Sequence, residues 1–84
     1  MQCEIYSKKY KTNIEFWSHG GEIKVRSAEY IAELPELHFY EGHTLCDGGR
    51  LRGGVYSFYH CWDYDQFKSA CRLWWGKFMR RVDG

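Results

Sequence analysis

Apolar residues recur at helical spacing in the last third of the chain, residues 62–82. They fall alternately three positions and one position apart, so on an α-helix they form a single continuous stripe. The stripe consists of Phe67, Ala70, Cys71, Trp74, Trp75, Phe78, Met79 and Val82. Asp63 can accept hydrogen bonds from the backbone N–H groups of the first turn, and Gln66 can reach back three residues later. We therefore expect a long amphipathic helix that begins at about Asp63.

The first part of the chain alternates polar and apolar residues, which is the pattern of half-buried β-strands. The alternation occurs at 2–6, 14–18 and 22–26, and a His-Gly-Gly step at 19–21 joins the last two runs. Glycine accepts the positive φ that tight hairpin turns require, so these two runs predict a β-hairpin. Its inward face would consist of Ile14, Phe16, Ile23 and Val25.

Shorter elements are predicted after the hairpin. Ser27 can cap a short helix over 28–34, which Pro35 would end because the residue before a proline avoids the helical region. Residues 37–40 have the composition of a fourth strand.

The segment 41–54 contains five glycines and is either a long loop or a second, looser hairpin. The run 55–62 is rich in aromatic residues and apolar on both faces, which is typical of a central strand. No low-complexity tract or linker interrupts the chain. The sequence therefore predicts one α+β domain over 1–84, a mostly antiparallel sheet of four to five strands with the long C-terminal helix packed on one face and a short helix near 28–34.

Aromatic residues make up 19% of the 84 residues. A chain this short buries only roughly 60–65% of its unfolded surface, whereas each aromatic side chain needs about 150–250 Å² of cover. Some rings should therefore lie at the surface. They are either anchors for a protein partner or tyrosines that cover the edge of the core with the hydroxyl in water.

Charge is distributed unevenly along the chain, although the formal net charge is only +1. Counting Lys and Arg against Asp and Glu, residues 1–13 carry +2, residues 14–47 carry −5 and residues 48–84 carry +4, which sum to +1. The small total argues against a dedicated polyanion binder. The asymmetry permits one basic and one acidic face, and its ordinary alternative is solvated surface.

Cysteine and histidine provide the candidate metal ligands and nucleophiles. His43 with Cys46 and His60 with Cys61 are the zinc-competent pairs, but adjacent residues of a strand point to opposite faces, and no C-x-x-C step occurs. Cys46, beside Arg50 in the glycine-rich segment, is the one thiol in a setting that could lower its pKa. Catalytic triad, zinc-protease and phosphate-loop patterns are missing. We therefore expect no metal, no cofactor and no enzymatic activity, with a metal-binding or thiol enzyme as the third alternative.

The chain shows no basic segment followed by an apolar run, as a secretory leader would, and no stretch approaches the ~18 apolar residues that span a bilayer. We expect a cytoplasmic protein with reduced thiols and no membrane partner. Cys71, on the apolar stripe, should be a small core residue.

The side of the long helix opposite the stripe is the candidate partner-binding surface. Gly76 costs about 1 kcal/mol relative to alanine inside a helix, and on an outer face it would let another backbone or ring approach closely. An apolar centre with a basic rim is typical of a protein-binding patch. The candidate residues are Arg72, Leu73, Gly76, Lys77 and Arg80, together with Arg50 and Arg52 from the glycine-rich segment. The alternative is a tolerated glycine on a solvated face.

These observations favour a small non-enzymatic protein-binding module, an adaptor or a stoichiometric inhibitor of another protein. Compact, aromatic-rich proteins of this length are common among the antagonists that phages and mobile elements direct at host enzymes, an analogy of size and composition. The second alternative is a protein that binds single-stranded RNA or DNA. In that case basic side chains would contact the nucleic-acid backbone and tyrosines would stack on bases.

Overall fold

The fold is a small α+β arrangement of three antiparallel strands and a C-terminal helix. A computed structural model describes residues 1–19, 22–38, 43–46, 50–51 and 63–84. The strands are β1 (Gln2–Ser7), β2 (Thr12–His19) and β3 (Glu22–Ser27), and the helix is α1 (Tyr64–Asp83).

The predicted hairpin is formed by β2 and β3, which pair antiparallel. Phe16 faces Val25 across this hairpin and faces Cys3 across the β1–β2 pair. Since successive residues of a strand point to opposite faces, these three side chains share one face of the sheet with Ile14 and Ile23. All five are buried. The predicted inward face is therefore confirmed, while the Gly-Gly turn of the hairpin lies outside the described residues.

A tight turn joins β1 to β2. The backbone N–H of Lys11 donates to the Ser7 carbonyl at 2.7 Å, and that of Tyr10 donates to the Ser7 hydroxyl at 3.2 Å. Lys11 has a φ of 56°, in the left-handed region that non-glycine residues seldom adopt. Beside it, Lys9 forms an ion pair with Asp83 of α1. This ion pair links the β1–β2 turn to the last turn of the helix.

The sheet continues beyond β3 in two short strands. β4 (His43–Cys46) pairs antiparallel with β3, and β5 (Arg50–Leu51) pairs antiparallel with β4. Both lie within the glycine-rich segment that was predicted to be a loop or a second hairpin.

The predicted short helix over 28–34 is wrong. This segment consists of bends and turns, and the helical hydrogen bonding that follows it is a single 3₁₀ turn, Pro35–Leu37. Proline suits the first position of a helical turn, because its φ is already set and its missing N–H would have no partner there. Pro35 therefore begins a turn where it was expected to end a helix.

The apolar residues of this region follow a period of three. Ile31, Leu34 and Leu37 are all buried in the core. The backbone N–H of Leu34 donates to the carbonyl of Ile31 at 3.0 Å, and that of Leu37 donates to the carbonyl of Leu34 at 3.1 Å. Bonds between residues three apart stack side chains at i and i+3 on one side. Successive tight turns thus bury Ile31 and Leu34 of the predicted helix, and Leu37 of the predicted fourth strand, while Tyr30 of the predicted helix is exposed.

The predicted fourth strand at 37–40 is wrong at its start, because Leu37 closes the 3₁₀ turn. Residues 39–40 and the whole predicted strand at 55–62 lie outside the described residues. A sheet of four to five strands at the predicted positions therefore stays a prediction.

The helix begins as predicted and packs on the sheet through its apolar stripe. The Asp63 side chain accepts a hydrogen bond from the backbone N–H of Gln66 at 2.8 Å, which caps the first turn. The rings of Trp74 and of Phe16 in β2 pack edge to face, with their centroids 6.0 Å apart. The buried stripe residues are Phe67, Cys71, Trp74 and Phe78, and Ala70, Trp75 and Met79 pack beside them. Val82, the last residue of the stripe, is exposed.

Candidate functional site

The side of α1 turned away from the sheet contains the candidate site. Gly76 is two residues from both Trp74 and Phe78, and two residues of an α-helix span about 200°, so Gly76 lies opposite the buried stripe. Arg72, Leu73 and Arg80 lie close to it in neighbouring turns. We call Arg72, Leu73, Gly76 and Arg80 the outer face of α1.

Leu73 is the apolar centre of the outer face. Its exposed fraction is 53%, and it belongs to the few large apolar residues that are exposed in the described part of the chain. Arg72 and Arg80 beside it are exposed as well. Lys77, the remaining helix residue predicted for the site, is half-buried on the flank of this face.

Gly76 is half-buried but has room for a side chain. A Cβ atom built on Gly76 would meet only Nη1 of Arg80, at 4.0 Å, among the described residues. That distance is an ordinary van der Waals contact. The described fold therefore gives no reason for glycine at this position, since neither the sheet nor a neighbouring turn approaches it closely.

Every charged residue of α1 between 68 and 81 is basic. Arg80 and Arg81 have a local reason for this sign, because cations in the last turn of a helix interact favourably with the helix dipole. Arg72 lies in the middle of the helix and has no such reason. Its charge, next to exposed Leu73, is the component of the outer face that the helix itself does not require.

The structure brings together only some of the predicted site residues. Arg72, Leu73, Gly76 and Arg80 lie on one face, as the helical period predicts, while their role in binding stays a prediction. Arg50 begins β5, and only its place in the strand is described. Arg52 lies outside the described residues.

The sheet face opposite α1 carries an aromatic group that sequence reasoning missed. Trp17 is half-buried there, and the guanidinium of Arg26 lies over its ring, 5.3 Å from the centroid. Nε of Arg26 also donates to Oε1 of Glu15 at 2.8 Å. The signal in the sequence was a tryptophan at a polar position of the β2 alternation. Because Arg26 contacts both neighbours, this cluster is explained by packing between adjacent strands.

Two thiols meet in the core, one from each end of the chain. Cys3 of β1 and Cys71 of α1 are both buried, neither is in a disulfide, and their side chains are hydrogen-bonded to each other. Burial raises the pKa of the Cys3 thiol, while the hydrogen bond from Cys71 and the charges of Arg72 and Lys68 act in the opposite direction. Cys71 is thus a core residue, as predicted, but with a thiol neighbour that the sequence did not indicate.

A metal site has no support in the described ranges. Within 1–19, 22–38, 43–46, 50–51 and 63–84, no group of three or more His, Cys, Asp or Glu side chains could hold a metal ion. His43 and Cys46 lie at the two ends of β4. His60 and Cys61 lie outside the described residues, so the expected lack of metal stays a prediction.

No described helix combines the length and the apolar content that a bilayer crossing requires.

Comparison of the chain with protein-family models, with curated proteins and with solved structures found no match. Any functional conclusion therefore depends on the surface chemistry described above.

Proposed function

We propose that this protein is a small non-enzymatic binding module, an adaptor or inhibitor, whose outer face of α1 docks on an acidic surface of another protein. The observation that carries the proposal is the exposed side chain of Leu73 on the same side of the helix as two exposed arginines. The size and composition also resemble those of antagonist proteins of phages and mobile elements.

Burial of Leu73 would supply the apolar part of the binding energy. Full burial of a leucine side chain is worth about 1.5–3 kcal/mol relative to exposure. Gly76, one turn from Leu73, has no side chain to hold a partner away. The partner could therefore approach the helix backbone closely enough to enclose Leu73.

The charges of the outer face select the partner. Arg72 and Arg80 present planar guanidinium groups, which bind carboxylates through two parallel hydrogen bonds. Arginine is also among the residues that most often dominate protein interfaces. An acidic partner surface would pair with these groups and would associate faster at low ionic strength.

Single-stranded nucleic acid is the alternative occupant of this face, and the arrangement of rings favours it less. Nucleic-acid grooves combine basic groups with rings on which bases stack, whereas the outer face has no ring. Trp74 and Phe78 are buried on the opposite side of α1, and Trp75 is stacked on Phe78 with centroids 5.5 Å apart.

Affinity capture from a lysate of the source organism, with and without nuclease, tests the proposal. The tagged parent chain should retain a protein partner after nuclease treatment. Leu73→Glu and Arg72→Glu should each weaken retention at least roughly tenfold, since a buried charge or a reversed ion pair at an interface centre costs more than 1.4 kcal/mol.

Two matched variants control for changes in stability and net charge. Tyr30→Glu places the same acid on another exposed residue, and Lys8→Glu makes the same charge reversal on the β1–β2 turn; both should retain the partner. The proposal fails if Leu73→Glu retains the partner as the parent does. It also fails if two results occur together: nuclease treatment releases the captured protein, and a labelled single-stranded oligonucleotide binds the purified chain at physiological salt.

A further inference from the structure

The paired thiols of Cys3 and Cys71 are a group that the proposed binding function does not use. Cys3 has an exposed fraction of 8% and Cys71 of 0%. Their hydrogen bond makes the two thiols neighbours in the core, although one residue belongs to the first strand and the other to the last helix. Such a pair differs from two isolated core cysteines, because oxidation of one sulfur leaves the second in position to react with it.

The two positions suit different roles in an oxidation. Cys3 lies nearer to solvent, so a small oxidant reaches its sulfur first. Cys71 is fully enclosed by the core. Burial raises the pKa of the Cys3 thiol, and since the thiolate is the nucleophile, the pair should react more slowly than an ordinary exposed thiol.

We propose that Cys3 and Cys71 are an oxidation site that a peroxide converts into an intramolecular disulfide between β1 and α1. With hydrogen peroxide, the Cys3 sulfur attacks one peroxide oxygen, the O–O bond breaks, and Cys3 sulfenic acid and one water are formed. The Cys71 sulfur then attacks the sulfenic sulfur, the S–S bond forms, and a second water leaves. The two sulfurs together lose two electrons, and the peroxide is reduced to two molecules of water.

The disulfide would close a loop that contains most of the chain. Closing a long loop restricts the unfolded state, and the effect on thermal stability is large in a domain of this size. We expect the melting temperature of the oxidised protein to rise by roughly 10 °C and to return to its original value with a reductant.

Peptide mapping of the peroxide-treated chain tests the assignment. Trypsin cleaves after Lys8, Lys68 and Arg72, so the expected product is the peptide 1–8 joined to the peptide 69–72, about 2 Da lighter than the sum of the two thiol forms. Cys46 and Cys61 fall in other tryptic peptides. The linked peptide is therefore identified in the parent chain without any substitution.

A variant with Cys46→Ser and Cys61→Ser gives an independent measurement, because Cys3 and Cys71 are then its only cysteines. We expect complete loss of thiol titre with peroxide, recovery with reductant, and no linked peptide after the further change Cys3→Ser. The proposal is overturned if Cys3 proceeds to sulfinic acid while Cys71 stays a thiol, or if cross-linked peptides contain only Cys46 and Cys61.

Discussion

The ring of Trp74 on α1 meets the ring of Phe16 on β2 nearly at a right angle, 78° between the ring planes. This contact is one of those that join the helix to the sheet. Trp74 is also stacked on Phe78, with ring centroids 5.0 Å apart. One side chain therefore packs both along the helix and across to β2, the strand between β1 and β3.

We expect Trp74→Ala to lower the free energy of unfolding by about 3–5 kcal/mol, because it removes a fully buried side chain from the helix–sheet contact. A loss of this size approaches the whole stability of a small domain. Urea denaturation followed by far-UV circular dichroism measures it. Trp75→Ala is the matched control, since Trp75 is only half-buried and should cost less. Equal midpoints for Trp74→Ala and the parent chain would refute this packing.

Gly76→Ala should raise the free energy of unfolding by about 1 kcal/mol, because alanine is the better helix former and its Cβ meets only Nη1 of Arg80. Thermal melts measure this effect. Gly84→Ala is the control, because a Cβ there would lie 2.7 Å from the carbonyl oxygen of Arg80 and should give no gain. The same Gly76→Ala protein should capture the partner more weakly. More stable protein with undiminished capture would place the binding surface elsewhere, and residues 42–54 would then be the next candidate.

The hydroxyl of Ser27, at the end of β3, is buried and has no hydrogen-bond partner in the described part of the chain. A buried polar group without a partner costs roughly 1–3 kcal/mol. We expect Ser27→Ala to stabilise the protein by about 1 kcal/mol in urea denaturation. Ser7→Ala is the contrasting change, because the Ser7 hydroxyl accepts from the backbone N–H of Tyr10 and its loss should destabilise. If both variants lose stability, Ser27 has a partner in solution.

Two groups make the fold sensitive to alkaline pH. Burial raises the pKa of the Cys3 thiol above its ordinary 9.0, and the hydrogen bond to Asp83 raises the pKa of the Lys9 ammonium above its ordinary 10.5. In both cases the folded chain holds the proton more tightly than the unfolded chain. Their stabilisation is therefore complete below these ordinary values and is lost as the pH rises through the folded pKa.

We expect the free energy of unfolding to fall as the pH rises above 9.0, as measured by urea denaturation across a pH series. Cys3→Ala should remove the earlier part of the decline. Asp83→Asn should remove the later part, which is small because the Lys9–Asp83 pair is exposed. A decline that is identical in the parent and in both variants would assign the alkaline sensitivity to other groups.

Regular periodicity explains why the helix and the hairpin could be predicted. The helix stripe extends over several turns and begins with a capping residue, so local and long-range signals agree. The region 28–38 is different, because Ile31 and Leu34 are spaced as an α-helix or as successive tight turns would space them. Only the continuation of the period through Pro35 to Leu37 distinguishes the two.

The candidate functional residues also differ in whether the sequence alone could place them. The outer face of α1 follows from the helical period alone, so Leu73 and Gly76 could be placed together from the sequence. The contact between Cys3 and Cys71 could not be placed, because it depends on which turn of the helix lies over which residue of β1. That register is set by the packing of Trp74 on Phe16, and no local pattern specifies it.

The rings of Trp74, Phe78 and Trp75 lie within 20° of parallel in their stacked pairs and are held in one chiral arrangement. Transitions of rings fixed in this way give the folded protein a strong near-ultraviolet circular dichroism signal. That signal disappears when side-chain packing is lost, even if the helix persists and the far-ultraviolet spectrum is unchanged. The near-ultraviolet signal of the stack therefore distinguishes a variant that has lost only a surface side chain from one whose core packing is loosened.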